Sequence, residues 1–228
     1  MQVFNPIAAN QISPVAYAKK ELSAKWGEVN GMRVALELAA PAVEKARKDV
    51  LGVTDVSCFQ RYGVKGPQAA QWLVEQALAI PSAPNSWTLN EKKSLVLRLG
   101  SSEFLIEDQP GGSACQVLNA NKQAVAGICK VQRADAAFVL SGSEVLNLLS
   151  ELCLLDLRDK ALPANGLVMT QVAGISATVL RQQLDGQQIY RLWCDGTYGA
   201  YMWDVLLEIA EELGGGAVGL SSHFKGVL

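Results

Sequence analysis

The stretch Asp55-Val56-Ser57-Cys58-Phe59-Gln60-Arg61-Tyr62-Gly63-Val64-Lys65-Gly66-Pro67-Gln68-Ala69-Ala70-Gln71-Trp72 reads as a strand, a tight turn at Gly66 and a helix. Pro67 suits a first helical turn, where a missing N–H costs no hydrogen bond. Ala69, Trp72 and Leu73 recur at i, i+3 and i+4, one face of a helix. The device returns further along the chain. Tyr62, Val64, Gly66, Ala69, Trp72 and Leu73 correspond to Phe138, Leu140, Gly142, Val145, Leu148 and Leu149, and Glu75 corresponds to Glu151. Each copy runs aromatic, x, aliphatic, x, Gly, then a helix with matched apolar positions. Two similar α/β units in one chain are the expectation.

Working outward, Asn30-Gly31 is a hairpin dipeptide ahead of a strand over Met32 to Leu38. A short helix is expected over Ala16 to Trp26. Another is expected over Ala42 to Val50, with Val43, Ala46 and Val50 as its apolar face and Gly52 at its end. Val53 to Val64 reads as the strand of the first repeat. Leu95–Leu99 and Glu103–Glu107 flank a Gly-containing turn and form a hairpin. Ala114 to Ala120 reads as a helix and Ala124 to Gln132 as a strand. Strands follow over Leu167 to Val172, Ile175 to Gln182 and Gln188 to Trp193, the last two joined by Asp185-Gly186. A final helix from Tyr198 to Leu213 places Met202, Val205, Leu206, Ile209 and Leu213 on its core face. Short helices alternating with hairpins predict an α+β fold with antiparallel sheets, not a doubly wound parallel sheet. The two units are expected at residues 1–130 and 131–228.

Composition narrows the function classes. Of 228 residues, 50% are hydrophobic and 18% charged, which supports a packed core and excludes a disordered chain. A formal net charge of −2 gives no electrostatic reason to expect nucleic acid or an anionic membrane as partner. No apolar run reaches the roughly 20 residues of a membrane helix. Met1 to Pro6 carries no basic segment leading into an apolar one, so no secretory signal is expected. Five widely spaced cysteines without a C-x-x-C read as reduced, mostly buried thiols of a cytoplasmic protein. The single histidine, His223, nearly excludes His-dependent triads and His-rich metal sites, and its polar tail segment predicts an exposed side chain.

Candidate chemistry is sparse. Gly214-Gly215-Gly216 follows a helix and lacks the Lys-Ser/Thr of a nucleotide loop, so it reads as a helix terminus. Asp204, Glu208, Glu211 and Glu212 lie on the outer face of the last helix. Asp55-Val56-Ser57 has no accompanying base, and a local turn made by Asp55 is the expected role. Trp72, Trp193, Tyr198, Tyr201 and Trp203 suit core packing or an interface, with a stacking platform for a flat ring as the alternative. The residues by themselves reveal no active site.

Asp55-Val56-Ser57-Cys58-Phe59 and Val64-Lys65-Gly66-Pro67-Gln68-Ala69 resemble the Asp-Val-Ser-His-Met and Val-x-Gly-Pro-Asp-Ala motifs of the aminomethyltransferase (glycine-cleavage T-protein) superfamily. Val43 to Val53, the repeat at Ala137 to Leu152, Tyr201 to Leu207 and Gly219-Leu220 extend the resemblance over nearly the whole chain. Within the superfamily, Arg61 to Pro67 and Leu99 to Leu105 are most similar to the gamma subunits of heterotetrameric sarcosine oxidases and related N-methyl amino acid dehydrogenases. The resemblance implies a folate-binding fold in a small subunit of an oxidoreductase complex linked to one-carbon metabolism. Its partners would be larger flavoprotein subunits. FAD, FMN, NAD and tetrahydrofolate would reside in those partners and none in this chain.

Departures from the family pattern point to a non-catalytic chain. The Asp-Asp pair expected on the hairpin is absent from Ser94 to Gly100. The Gly-Tyr-Thr-Gly-Glu segment becomes Gln182 to Gln187, with Asp185 as its only carboxylate. The Gly-Ala-Arg segment becomes Ser221-Ser222-His223, and the methionine becomes Phe59. A pterin losing one carboxylate partner forgoes a charge-assisted bond of about 1.5–3 kcal/mol. The Lys-Gly-Cys-Tyr-x-Gly-Gln motif of related iron–sulfur accessory proteins has no equivalent. The alternative is a stand-alone tetrahydrofolate-binding, aminomethyltransferase-like protein, with Phe59, Asp185 and Tyr190 lining its pterin pocket. A homodimeric scaffold is a third reading.

Overall fold

Asp55 breaks the long strand expected over Val53 to Val64. Its Oδ1 accepts the Ser57 N–H at 2.9 Å, turning the chain two residues on. The computed structural model describes residues 11–19, 25–121 and 125–226. Before the break lie β1 (Gln11–Ile12), β2 (Lys25–Val29), β3 (Met32–Glu37), α1 (Pro41–Leu51) and β4 (Gly52–Asp55). After it come β5 (Arg61–Lys65), α2 (Ala69–Glu75), β6 (Ser86–Leu89), β7 (Ser94–Arg98), β8 (Glu103–Asp108), α3 (Ala114–Ala120) and β9 (Cys129–Val131). The remainder is β10 (Asp135–Ser141), α4 (Val145–Leu152), β11 (Leu167–Val172), β12 (Ile175–Leu184), β13 (Gln187–Asp195), α5 (Gly199–Glu212) and β14 (Gly216–Ala217).

The fold is α+β, and the chain divides into two compact units. Their division differs from the expected 1–130 and 131–228. Unit 1 gathers the described residues up to Cys58 with Asp135–Ala164 and those from Val168 onward; unit 2 is Phe59–Ala134 with Asn165–Leu167. Strand pairing is the reason. β4 lies antiparallel to β10, with Phe138 opposite Asp55, and parallel to β14. The described residues up to Cys58 therefore belong with the second repeat.

Unit 1 holds a six-stranded sheet, β11-β12-β13-β10-β4-β14, and a small sheet, β1-β3-β2. Alternation along β10 and β13 sends Phe138, Leu140, Tyr190 and Leu192 into a core with α4 (Val145, Leu148, Leu149) and α5 (Met202, Trp203, Leu206, Ala210). The Phe138 and Trp203 rings meet at 6.5 Å. Unit 2 holds the sheet β6-β7-β8-β5-β9. Its core joins Tyr62, Val64, Phe104 and Ile106 to Ala69, Trp72 and Leu73 of α2 and Cys115 and Leu118 of α3. Tyr62 stacks on Trp72 at 6.2 Å.

The repeat is real in three dimensions. All six matched pairs of apolar and glycine positions fall at equivalent places on β5–α2 and β10–α4, and the apolar ones are buried. Gly66 and Gly142 both take positive φ, 135° and 113°. A Cβ would sit 2.0 Å from the Gly127 carbonyl oxygen at the first and 2.3 Å from the Val50 carbonyl oxygen at the second. Gly66→Ala and Gly142→Ala are each expected to cost about 3 kcal/mol, from left-handed strain plus the clash. A urea-unfolding midpoint unchanged in either variant would contradict this.

Other expectations hold or shift for local reasons. The Asn30-Gly31 and Asp185-Gly186 turns form with positive φ at both residues of each. Residues 16–18 are turns and Trp26 lies in β2, so no helix is seen there; residues 20–24 of the expected helix lie outside the described residues. The strand expected over Ala124 to Gln132 shrinks to β9, with Ala124 outside the described residues. On α1 the expected face holds only in part: Val50 packs against the core, but Val43 and Ala46 are exposed, while Glu44 and Leu51 are buried. Val50 and Leu51 meet the core, whereas Glu44, Arg47 and Lys48 meet backbone N–H and C=O groups, which call for polar partners.

Candidate functional site

Asp55 ends β4 on the core side of unit 1 and is 6% exposed. Its Oδ2 accepts from Ser13 Oγ and from Lys19 Nζ, each at 2.6 Å. The Lys19 ammonium also lies 5.1 Å from the Trp203 ring centroid. Ser57 Oγ accepts the Ala137 N–H at 3.0 Å. Burial alone would raise the Asp55 pKa. The Lys19 charge and the hydrogen bonds from Lys19, Ser13 and Ser57 outweigh it and hold the group below its ordinary range. The motif thus ties segment 13–19 to β4 and makes the turn expected of it.

The opposite face of the same sheet mixes apolar and polar side chains. Thr54, Val139, Arg191 and Leu180 form one cross-strand row. Arg191 is fully buried, with its guanidinium carbon 5.1 Å from the Trp193 ring centroid and Nη1 3.5 Å from Gln182 Oε1. His223, expected at the surface, is instead 2% exposed, with Nδ1 3.1 Å from Thr54 Oγ1. The Thr54 hydroxyl donates to the Val218 carbonyl at 3.0 Å. Its single proton is thereby used, so it accepts from His223 Nδ1–H, and Nε2 is the bare nitrogen. Burial first, then the charges of Lys48 and Arg191, bring this imidazole down to about 3.

His223 is therefore neutral at pH 7. The unfolded chain takes up the proton near pH 6.5 and the folded chain does not. Stability is expected to fall by about 2 kcal/mol between pH 6.5 and pH 5 from this group. Imidazole 15N shifts of the folded protein that titrate near pH 6.5 would refute it.

The last segment of the chain is strapped to α1 by the polar stripe. Glu44 Oε1 accepts the N–H groups of Leu38 at 2.5 Å, Ala39 at 3.1 Å and Gly219 at 3.1 Å, and Oε2 accepts the Ser222 hydroxyl. Arg47 Nη1 donates to the Ala217 carbonyl and Lys48 Nζ to the Ser222 carbonyl, both at 2.9 Å. Gly214 and Gly215 close α5 through bonds back to Glu211 and Ala210, as a helix terminus should.

Unit 2 buries its own ionic groups. Arg61 Nε lies 2.7 Å from Glu107 Oε2, both nearly without exposure. Asp108 accepts Ser94 Oγ at 2.5 Å and the Cys115 N–H at 3.0 Å. Burial, then the Asp108 charge, pushes the Cys115 thiol far up, so it is no thiolate nucleophile.

Of the three residues expected to line a pterin pocket, Asp185 and Tyr190 belong to unit 1 and Phe59 to unit 2. Asp185 is exposed at the tip of the β12–β13 hairpin with φ 50°. Tyr190 is five residues along, roughly 16 Å in extended chain, with its ring in the core of unit 1. Its hydroxyl donates to the Leu157 carbonyl at 2.9 Å. Phe59 is buried at the start of unit 2. Among the described residues no group of three or more His, Cys, Asp or Glu side chains is arranged for a metal. The buried groups that sequence reasoning passed over are Glu44, Lys19, Glu107 and Arg191. Only the alternation of β13, which puts Arg191 between Tyr190 and Leu192, signals one of them.

The fold these units build is that of the aminomethyltransferases. The chain is similar to the glycine cleavage system aminomethyltransferase T from Bartonella henselae, at 17% identity and TM-score 0.69 over 93% of this chain and 60% of that one. It thus spans about three-fifths of that protein's length. It is also similar to a chain of the heterotetrameric sarcosine oxidase from Corynebacterium sp. U-96, solved in complex with pyrrole 2-carboxylate, at 19% identity and TM-score 0.63. That match covers 90% of this chain and 97% of the other. No protein-family profile and no curated protein sequence matches the chain. No helix among the described residues is long and apolar enough to cross a membrane.

Proposed function

We propose that this chain is a small, non-catalytic, gamma-type subunit of a cytoplasmic oxidoreductase complex that oxidatively demethylates sarcosine or a related N-methyl amino acid. The observation that carries this reading is the end-to-end match to one chain of a heterotetrameric oxidase, 97% of which is covered. The buried chemistry agrees with it. Asp55 is committed to Lys19 and Ser13, and His223 is neutral and closed off. Larger flavoprotein subunits would carry FAD, FMN, NAD and the folate step, and this chain would bind to them. Affinity purification of the tagged chain from its native cell at endogenous level tests it. A yellow eluate with larger flavin-bearing chains in fixed ratio is expected; a colourless chain alone would refute the proposal.

The likeness to an aminomethyltransferase favours one second reading, a stand-alone tetrahydrofolate-binding protein. Tetrahydrofolate at 100 times its Kd would add about 2.7 kcal/mol to stability. No melting shift and no quenching of tryptophan fluorescence on titration would remove it.

A further inference from the structure

We propose that the segment Gly219 to Gly226 is a latch released by acid: a proton taken up by His223 lifts it off α1 and β4 while the rest of unit 1 stays folded. The segment consists of a short 3-10 turn, Leu220–Ser222, followed by His223 and Phe224. Its backbone bonds close within itself, from the Ser222 N–H to the Gly219 carbonyl and from the His223 and Phe224 N–H groups to the Leu220 carbonyl. Side chains make its links outward: Glu44 to Gly219 and Ser222, Lys48 to the Ser222 carbonyl, and His223 to Thr54. β13, by contrast, is joined by backbone ladders to β10 on one edge and β12 on the other. A segment held by a few side chains opens at lower cost than a strand held on both edges. Leu220 and Phe224 are buried in the closed form, and release would uncover them.

The closed form has room for one proton on the imidazole. Nδ1–H is spent on Thr54 Oγ1, and among the described residues no protein acceptor lies in reach of Nε2. A second proton would be buried there without a partner. The charges on the elements packed around the ring oppose it as well. α1 carries Arg47 and Lys48, β13 carries Arg191, and the segment itself carries Lys225. Lys48 and Arg191 act directly on the ring. The carboxylates close by are engaged elsewhere. Glu44 holds Leu38, Ala39, Gly219 and Ser222, Glu37 of β3 pairs with Lys25, and Asp55 of β4 pairs with Lys19. Asp185, in the β12–β13 turn, acts on Lys48.

Opening returns the ring to water, where an imidazole binds its proton near pH 6.5, whereas the closed form keeps it neutral down to about 3. The open form therefore binds the extra proton, and acidification favours it. Its population is expected to be about 30-fold higher at pH 5 than at pH 7.5, with the rise starting near pH 6.5. The chain just ahead of the latch is held separately. The Val218 N–H bonds to the Val53 carbonyl, the Val218 carbonyl accepts the Thr54 hydroxyl, and β14 pairs with β4. The pivot is thus Gly219, which in the closed form lies so near β3 that a Cβ would sit 2.3 Å from the Leu36 carbonyl oxygen.

Hydrogen exchange of the full chain, read amide by amide and corrected for the intrinsic pH dependence of exchange, tests the latch. The Ser222, His223 and Phe224 amides are expected to lose protection about 30-fold between pH 7.5 and pH 5. Their exchange should respond little to low concentrations of urea, as a local opening exposes little surface. Amides of β12 and β13 are expected to stay better protected at both pH values and to lose protection steeply with urea. His223→Gln, whose amide can still donate to Thr54 but takes up no proton, is expected to hold the protection of the segment constant over the same pH range. Protection of the wild-type segment that does not change with pH overturns the inference. So do segment amides that match β13 in protection and in urea dependence, since the segment then opens only with the whole fold. A 30-fold loss that persists in His223→Gln overturns it as well, by assigning the trigger to another group. The wild-type profile decides the first two outcomes even where the glutamine variant does not fold.

Discussion

Glu44→Ala is expected to destabilise the protein by about 3–5 kcal/mol, because it strands several buried donors at once. The carboxylate takes three backbone N–H groups and the Ser222 hydroxyl, and none of the backbone donors can turn elsewhere. Glu44→Gln should be intermediate, since an amide offers one acceptor oxygen where the carboxylate offers two. Urea unfolding gives the free energies. A double-mutant cycle with Ser222→Ala should show strong coupling, because both changes remove the same link between α1 and the end of the chain. Equal midpoints for wild type and Glu44→Ala would mean that the strap contributes nothing to stability.

Lys19→Met should cost a similar amount, about 3–5 kcal/mol, since it leaves Asp55 buried without its cation. Lys19→Met with Asp55→Asn together should cost less than the sum of the single changes, since no unpaired charge then stays inside. The pH dependence has a definite sign. The folded-state pKa of Asp55 lies below that of the unfolded chain, so the unfolded state binds the extra proton on acidification. The stabilisation is complete above about pH 5 and is lost as pH falls through the folded pKa. Asp55→Asn should therefore flatten the stability curve below pH 4 and leave its shape near neutrality intact. A variant curve parallel to wild type down to pH 2 would remove Asp55 from the account.

The features legible in the sequence are those that repeat locally. Gly66 and Gly142, with their flanking apolar positions, announce two strand–turn–helix units, and the Asn-Gly and Asp-Gly turns announce their hairpins. The boundary between the units is hidden because β4 pairs with β10, which lies far along the chain, and no local pattern records that pairing. The face of α1 is misleading for a related reason. Where α1 packs on side chains it presents Val50 and Leu51, but where it meets bare backbone it presents Glu44, Arg47 and Lys48. The polar neighbours of His223 suggest the surface, yet Thr54, distant in sequence, supplies its burial and its hydrogen bond. Of the proposed pocket residues, Asp185 is legible as a turn residue, whereas the core position of Tyr190 comes from strand alternation alone.

The discontinuity of unit 1 also sets a timetable for the nascent chain. Every strand of the sheet β6-β7-β8-β5-β9 is encoded before β10 emerges. β4, by contrast, leaves the ribosome with neither neighbour made. Roughly 80 residues separate it from β10, which at about 5–20 residues per second is a wait of some 4–16 s. During that interval both of its edges are open to any extended segment nearby. Apart from Asn165–Leu167, unit 2 can close as an island while the residues ahead of it are still unpaired. A chain released just past Ala134 would then display a folded insert carried on an unfinished host, and protease would cut that chain ahead of Phe59 and spare the insert itself.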